Sequence, residues 1–147
     1  MSDTHTQAKQ LVNAHAFLND FSARDWDAAA DLLSPEFKHQ FLPSSIPHAD
    51  GKETRGKEEW LELMKHYFKT RFERMTVLPP MDVVQGKDVV VFHFKSDGVS
   101  KSGKVPYKNE YIAILRFDGE KIVGMKEFMD TKCAFDFGAA LAAEASS

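Results

Sequence analysis

Carboxylates, phenols and histidines set among apolar neighbours are the side chains of this sequence best suited to moving a proton. Asp130 closes the last β-patterned run, KIVGMKEFMDT, and by alternation shares a face with Ile122 and Phe128. A carboxyl walled by aromatic rings resists ionisation, so its pKa rises toward the range useful for proton transfer. The same carboxylate at a strand end also suits capping the segment that follows. Glu127 falls on the opposite face with Val123, Met125 and Met129. That parity assigns it to a subunit interface, unless a bulge turns it inward. Asn109 shares a face with Tyr107 and Tyr111. An amide between two phenols suits holding a substrate oxygen, and equally suits being satisfied by its strand neighbours.

Two histidines join these candidates. His39, in EFKHQFLP, is read as lying across the strand from Phe37 and Phe41, just before a turn-rich loop. His15 sits in the apolar stripe of a helix beside Leu11 and Leu18, where a satisfied core histidine competes with a pocket role. His66 lies on a polar helix face, His48 in the loop, and His93 among strand valines; none is assigned a role. Trp60 and Phe128, with Trp26, Phe68, Phe92 and Phe94, read as core or as the wall of a ligand cavity.

Other chemistries find less support. No histidine pair has close helical spacing, and neither a Cys cluster nor HExxH occurs, so no metal site is expected. GKETRGK, residues 51–57, mimics a phosphate loop, but Glu58 follows it where a hydroxyl would be needed, and no strand precedes it. There is no Gly-x-Ser-x-Gly, and the single cysteine, Cys133, has no base nearby in sequence. No cofactor is expected.

The elements that must position these residues follow from periodicity. Residues 7–21 carry a helical stripe, with Thr4 and Gln7 spaced as a capping box and residues 1–6 frayed. Asp25 reads as the N-cap of a second helix, DWDAAADLL, which Pro35 ends. EFKHQFL reads as a strand, and GKEEWLELMKHYFKTR as a helix with a broad apolar face. The period then changes to two over residues 73–84, 88–95, 105–117 and 121–131, with Pro79-Pro80 interrupting the first run and Asp118-Gly119 marking a tight hairpin. The tail GAALAAEASS reads as a frayed helical end. Helices followed by an antiparallel meander make one α+β domain.

With 147 residues, 43% of them hydrophobic, the chain can bury a core without crosslinks. Twelve Phe, three Tyr and two Trp exceed the needs of a minimal core and suit a cavity wall or a subunit interface. A net charge of −3 with scattered lysines excludes nucleic acid as the main partner. The polar N-terminus and the absence of a long apolar stretch point to a cytosolic protein that engages no membrane.

YKNEYIAILRFDGEKIVGMKEFMDT, residues 107–131, resembles the closing hairpin of the SnoaL-like branch of the nuclear transport factor 2, or cone-fold, superfamily. ARDWDAAADLLSPEF and GKEEWLELM are similar to its second helix with first strand and to its third helix, so the likeness runs in order along nearly the whole chain. It implies a cone-shaped, curved sheet, antiparallel with mixed pairing, wrapped by N-terminal helices around an apolar pocket. It also implies homodimers formed through the outer sheet face. Enzymes of this superfamily include ketosteroid isomerases, scytalone dehydratases, limonene epoxide hydrolases and polyketide cyclases, which work without a cofactor. The resemblance places Asp130 at the acid/base position of the SnoaL-type cyclases and marks His39 as a pocket histidine. The expected function is an acid/base isomerase, cyclase or dehydratase acting on a small apolar, oxygenated molecule such as a polyketide or terpenoid. Asp130, His39 and Asn109 would be catalytic, with Tyr107, Tyr111, His15, Phe128 and Trp60 against the substrate. The alternative is a non-catalytic ligand-binding or dimeric scaffold domain.

Overall fold

The computed structural model describes residues 4–47 and 51–147; His48 lies outside the described residues. Helix α1 spans Thr4–Ser22, so residues 4–6, expected to fray, are helical. Its buried face runs through Gln10, Ala14, Phe17, Leu18 and Phe21, the spacing of a helix lying on a core. Val12 lies outside that face and is exposed. The Asp25 carboxylate accepts the Ala28 N–H at 3.2 Å and opens α2, Trp26–Asp31. The expected stop at Pro35 is corrected, because α2 ends earlier and Pro35 lies within β1, Leu33–Leu42. It sits where the pairing of β1 with its neighbour is irregular, between Leu33 and Lys38, so its missing N–H breaks no regular ladder.

The chain continues through β2 (Thr54–Gly56) and α3 (Lys57–Thr70). The strands β3 (Phe72–Val77), β4 (Asp82–Gly86), β5 (Val89–Ser100), β6 (Pro106–Tyr107), β7 (Glu110–Asp118) and β8 (Lys121–Met129) follow, then α4 (Thr131–Ala145). Pro79 and Pro80 separate β3 from β4, and Lys108-Asn109 separates β6 from β7, so two runs read as single strands are each divided. The tail expected to fray forms the end of α4. Gly119, at φ 59°, makes the tight β7–β8 turn.

The strand order is β2-β1-β8-β7-β5-β3, with β4 and β6 also paired to β5. All pairs are antiparallel except β1 with β8, which joins the first long strand to the last. The result is a curled, mixed half-barrel with the N-terminal helices packed on its concave side. Among the described residues no helix is long and apolar enough to cross a membrane.

Aromatic rings join the helices to the sheet. Phe21 is the hub, with ring centres at 5.0 Å from Trp26, 5.2 Å from Trp60, 5.4 Å from Phe68 and 5.6 Å from Phe17. Each such pair is worth roughly 0.5–1.5 kcal/mol beyond the area it buries. A second group, Phe72, Tyr107 and Phe137, ties α4 to β3 and β6.

The far end of β5 is crowded on both edges, since Gly98 pairs with Met75 of β3 and Tyr107 of β6. A Cβ there would lie 2.9 Å from the Arg74 carbonyl oxygen. Gly98→Ala is therefore expected to lower stability by about 1–3 kcal/mol, read as an earlier urea midpoint. An unchanged midpoint would mean that β3 gives way freely.

Candidate active site

The concave side of the sheet encloses a cavity of about 790 Å³, lined mainly by aromatic and methionine side chains from α1, α3, β3, β8 and α4. Trp60, Tyr107 and Tyr111, expected against a ligand, all line it.

Which carboxylate enters the cavity depends on one residue of β8. Ile122 pairs with Phe117, but the next partner of β7, Arg116, pairs with Gly124, leaving Val123 as an extra residue. That bulge reverses the alternation. Ile122 points inward before it, and Met125, Glu127 and Met129 point inward after it. Glu127 is therefore the inward carboxylate, and the assignment to an interface face is corrected in favour of the bulge. Among the described residues that line the cavity it is the one carboxylate.

Asp130 and Phe128 are corrected by the same shift. Asp130 is exposed, and its Oδ1 accepts the N–H groups of Lys132 at 3.0 Å and Cys133 at 3.3 Å, so it is the N-cap of α4. It borders a separate shallow depression with Lys132, Cys133 and Asp136. Phe128 lies on the outer sheet face, 41% exposed and opposite Ile112. His15 is also outside the cavity lining, with its ring 5.0 Å from Phe92.

His39 lies on the same face as Phe37 and Phe41, not across from them, because positions two apart in a strand share a face. Its side chain is fully buried, stacked on Trp60 at 4.8 Å, and its Nε2 meets Glu127 Oε1 at 3.0 Å. It stands behind the cavity wall and holds the carboxylate that faces in. Nδ1 has no hydrogen-bond partner among the described residues.

Asn109 is likewise behind the wall. Its Nδ2 donates to the Tyr107 hydroxyl at 2.7 Å, and its Oδ1 accepts the Glu110 N–H at 2.7 Å. It orients a phenol and leaves ligand contact to that phenol. Beside it, Ser96 Oγ and Tyr111 Oη lie 2.9 Å apart, and Tyr111 donates to Tyr107 Oη at 3.4 Å. Tyr107 thus accepts from both neighbours and keeps its own proton for a third partner.

Residue types alone did not single out Arg55 or Ser96, both buried and both lining the cavity. Arg55 was masked by its Gly- and Lys-rich surroundings, and the signal that finds it is its pairing opposite His39. Among the described residues no three of His, Cys, Asp and Glu gather closely enough to hold a metal ion.

Burial pushes both phenols above the ordinary tyrosine value of 10.0, Tyr111 well above it, and the charge of Glu127 adds to the rise. Both remain protonated donors at neutral pH. A raised folded-state pKa contributes stability that is present below the unfolded value and lost above it. The unfolding free energy is therefore expected to fall as pH rises past about 10, with a shallower fall in Tyr111→Phe. Urea melts of both proteins across that range check this; parallel curves would show that folding does not hold the proton.

The fold recurs in solved structures. PrhC from Penicillium brasilianum NBRC 6234 superposes with a TM-score of 0.82 at 21% identity, over 95% of this chain and 91% of that one. The BvnE pinacolase from Penicillium brevicompactum gives 0.80 at 21% identity, over 97% of each chain. TerC, crystallised with polyporic acid, gives 0.74 at 16% identity, over 88% of this chain and 97% of that one. At such identities the likeness shows the fold alone. No curated protein matches the chain in sequence. The sequence model of the SnoaL-like domain matches residues 14–125. With most of its length matched, and the curled sheet and enclosed cavity in place, the chain belongs to the SnoaL-like domain family.

Proposed function

We propose that this protein is a cofactor-free acid/base enzyme of the isomerase, cyclase or dehydratase type. Its substrate is a small, largely apolar, oxygenated molecule such as a polyketide or terpenoid. The observation that carries the reading is the Glu127 carboxylate, held by buried His39 in a mainly apolar cavity that two neutral phenols also face.

Each group has a part. Glu127 accepts a proton from a carbon or hydroxyl activated by a neighbouring carbonyl, and can return it elsewhere on the substrate. Tyr107, its oxygen already accepting from Asn109 and Tyr111, donates its remaining proton to the substrate oxygen where negative charge develops. His39 keeps the carboxylate from rotating away. The mainly apolar walls lower the local polarity, which strengthens both interactions. One structural neighbour is described as a pinacolase, and another was crystallised with polyporic acid, both in keeping with a small-molecule cavity.

The test needs no knowledge of the natural substrate. Cyclic ketones incubated with the protein in deuterium oxide are followed by NMR for exchange of protons next to the carbonyl. Glu127→Gln is expected to slow exchange by about 10²–10⁴-fold with the fold intact. Asp130→Asn is expected to leave exchange unchanged. Full exchange by Glu127→Gln would sink the proposal, and binding without any exchange would favour the non-catalytic reading.

The outer sheet face supports a homodimer. Val84, Ile112 and Phe128 are 58%, 38% and 41% exposed, and Ile112 and Phe128 are cross-strand partners. A second copy placed on this face by a two-fold axis would cover them. Sedimentation is expected to give a dimer at micromolar concentration and a monomer for Phe128→Glu; a monomeric parent protein overturns this.

A further inference from the structure

We infer that Asn109 is a positioning residue that fixes the proton of Tyr107 on the cavity side, so that the ligand oxygen met there is a carbonyl. The inference rests on the reading of the cavity as a small-molecule site. It adds a specificity determinant and the kind of oxygen that it selects.

Tyr107, Asn109 and Tyr111 are buried and alternate with exposed Lys108 and Glu110, so all three turn inward across the break between β6 and β7. Asn109 is 2% exposed and forms no part of the cavity lining. A buried amide needs partners at both ends, since each unpaired polar atom is costly. The Glu110 N–H settles which end is which. It donates to Oδ1 at 2.7 Å, and only the carbonyl end of the side chain accepts. The amino end therefore faces Tyr107 and donates to its Oη at 2.7 Å.

The second donor to Tyr107 is Tyr111, at 3.4 Å. Tyr111 has one proton and directs it there, so in its 2.9 Å contact with Ser96 the serine hydroxyl is the donor. Ser96 Oγ in turn accepts the backbone N–H of Asn109 at 3.4 Å. Asn109 thus feeds both ends of the group, by its side chain at Tyr107 and its main chain at Ser96. With two bonds accepted by the Tyr107 oxygen, its own proton is left for the cavity that the ring lines. Burial keeps that phenol protonated at neutral pH. A carbonyl oxygen, which only accepts, completes the arrangement. A ligand hydroxyl brings a proton that Tyr107 has no lone pair free to receive. An acceptor in place of the amide would draw the Tyr107 proton back into the wall.

The test uses α-tetralone, a neutral bicyclic ketone, and tetralin, the same skeleton without the oxygen. Binding of each is read by displacement of N-phenylnaphthylamine, a neutral dye whose fluorescence rises in apolar cavities. The infrared stretch of the isotope-labelled tetralone carbonyl reports the hydrogen bond itself. In the unaltered protein that stretch is expected at lower wavenumber than in hexane, and in Tyr107→Phe close to the hexane value. Asn109→Asp keeps the shape of the side chain and makes its donor switchable. The introduced carboxyl donates to Tyr107 while protonated and takes the Tyr107 proton once ionised. The shift in this variant is expected to be present at about pH 5 and lost by about pH 10, the span over which a buried carboxyl ionises. Its preference for tetralone over tetralin is expected to fall about three- to tenfold over the same span. The unaltered protein is expected to show neither change. A purely structural Asn109 predicts no pH dependence of the shift in the variant. That result, or a complex of the unaltered protein without a shift, overturns the inference while leaving the cavity reading intact. Failure of the dye and both probes to bind removes the two together. Where Asn109→Asp fails to fold, Asn109→Ala decides: a reduced shift with dye binding retained supports the inference, and an unchanged shift overturns it.

Discussion

Side chains alternate along a strand, so a single inserted residue exchanges the two faces of everything beyond it. In this protein that residue is Val123. Because of it the inner face of β8 receives Met125, Glu127 and Met129, while Phe128 goes to the outside and Asp130 is free to start a helix. The contact of Glu127 with His39 depends on the same shift, for β1 and β8 run in parallel and bring Phe41 opposite Glu127, two residues beyond the pairing of His39 with Met125. Remove the bulge and the cavity would hold an aromatic ring where it now holds a base.

The polar groups of the cavity are few, and most are held from behind by a neighbour. His39 secures Glu127, Asn109 secures Tyr107, and Ser96 secures Tyr111. Polar atoms withdrawn from water are costly unless paired, and pairing also fixes their direction before any ligand arrives. This preorganisation is what an apolar pocket needs if a handful of oxygens and nitrogens are to act on a ligand that offers little else to grip.

The architecture was largely legible in the residues. The apolar stripe of α3, the Asp25 cap, the change of period after Thr70 and the Asp118-Gly119 turn are local signals, and each element they mark is present. Local signals also carried Tyr107, Tyr111 and Trp60 to the cavity. What escaped them depends on partners distant in sequence. KIVGMKEFM carries no mark of the bulge, since the extra residue is defined by the register of β7 against β8. Asp130 had two readings, cap and catalyst, and only the direction of the preceding strand separates them. Arg55 stands in a segment that reads as a turn-rich loop until β2 is seen to pair with β1. Asn109 was rightly grouped with the two tyrosines, but whether an amide faces a ligand or stands behind the residue that does is a matter of depth, which alternation does not encode.

Helix α4 has a consequence of another kind. Of its residues, all described, Phe137 alone is buried, wedged between Phe72 and Tyr107, while Ala134, Gly138 and Ala139 border the cavity. A segment with so little buried surface is released at a smaller free energy than is needed to separate the strands beneath it. The amides of α4 then belong to a class that exchanges with solvent long before the sheet opens. Because the Phe137 ring packs on Tyr107 with centres 4.7 Å apart, a change at Phe137 also reaches a phenol of the cavity.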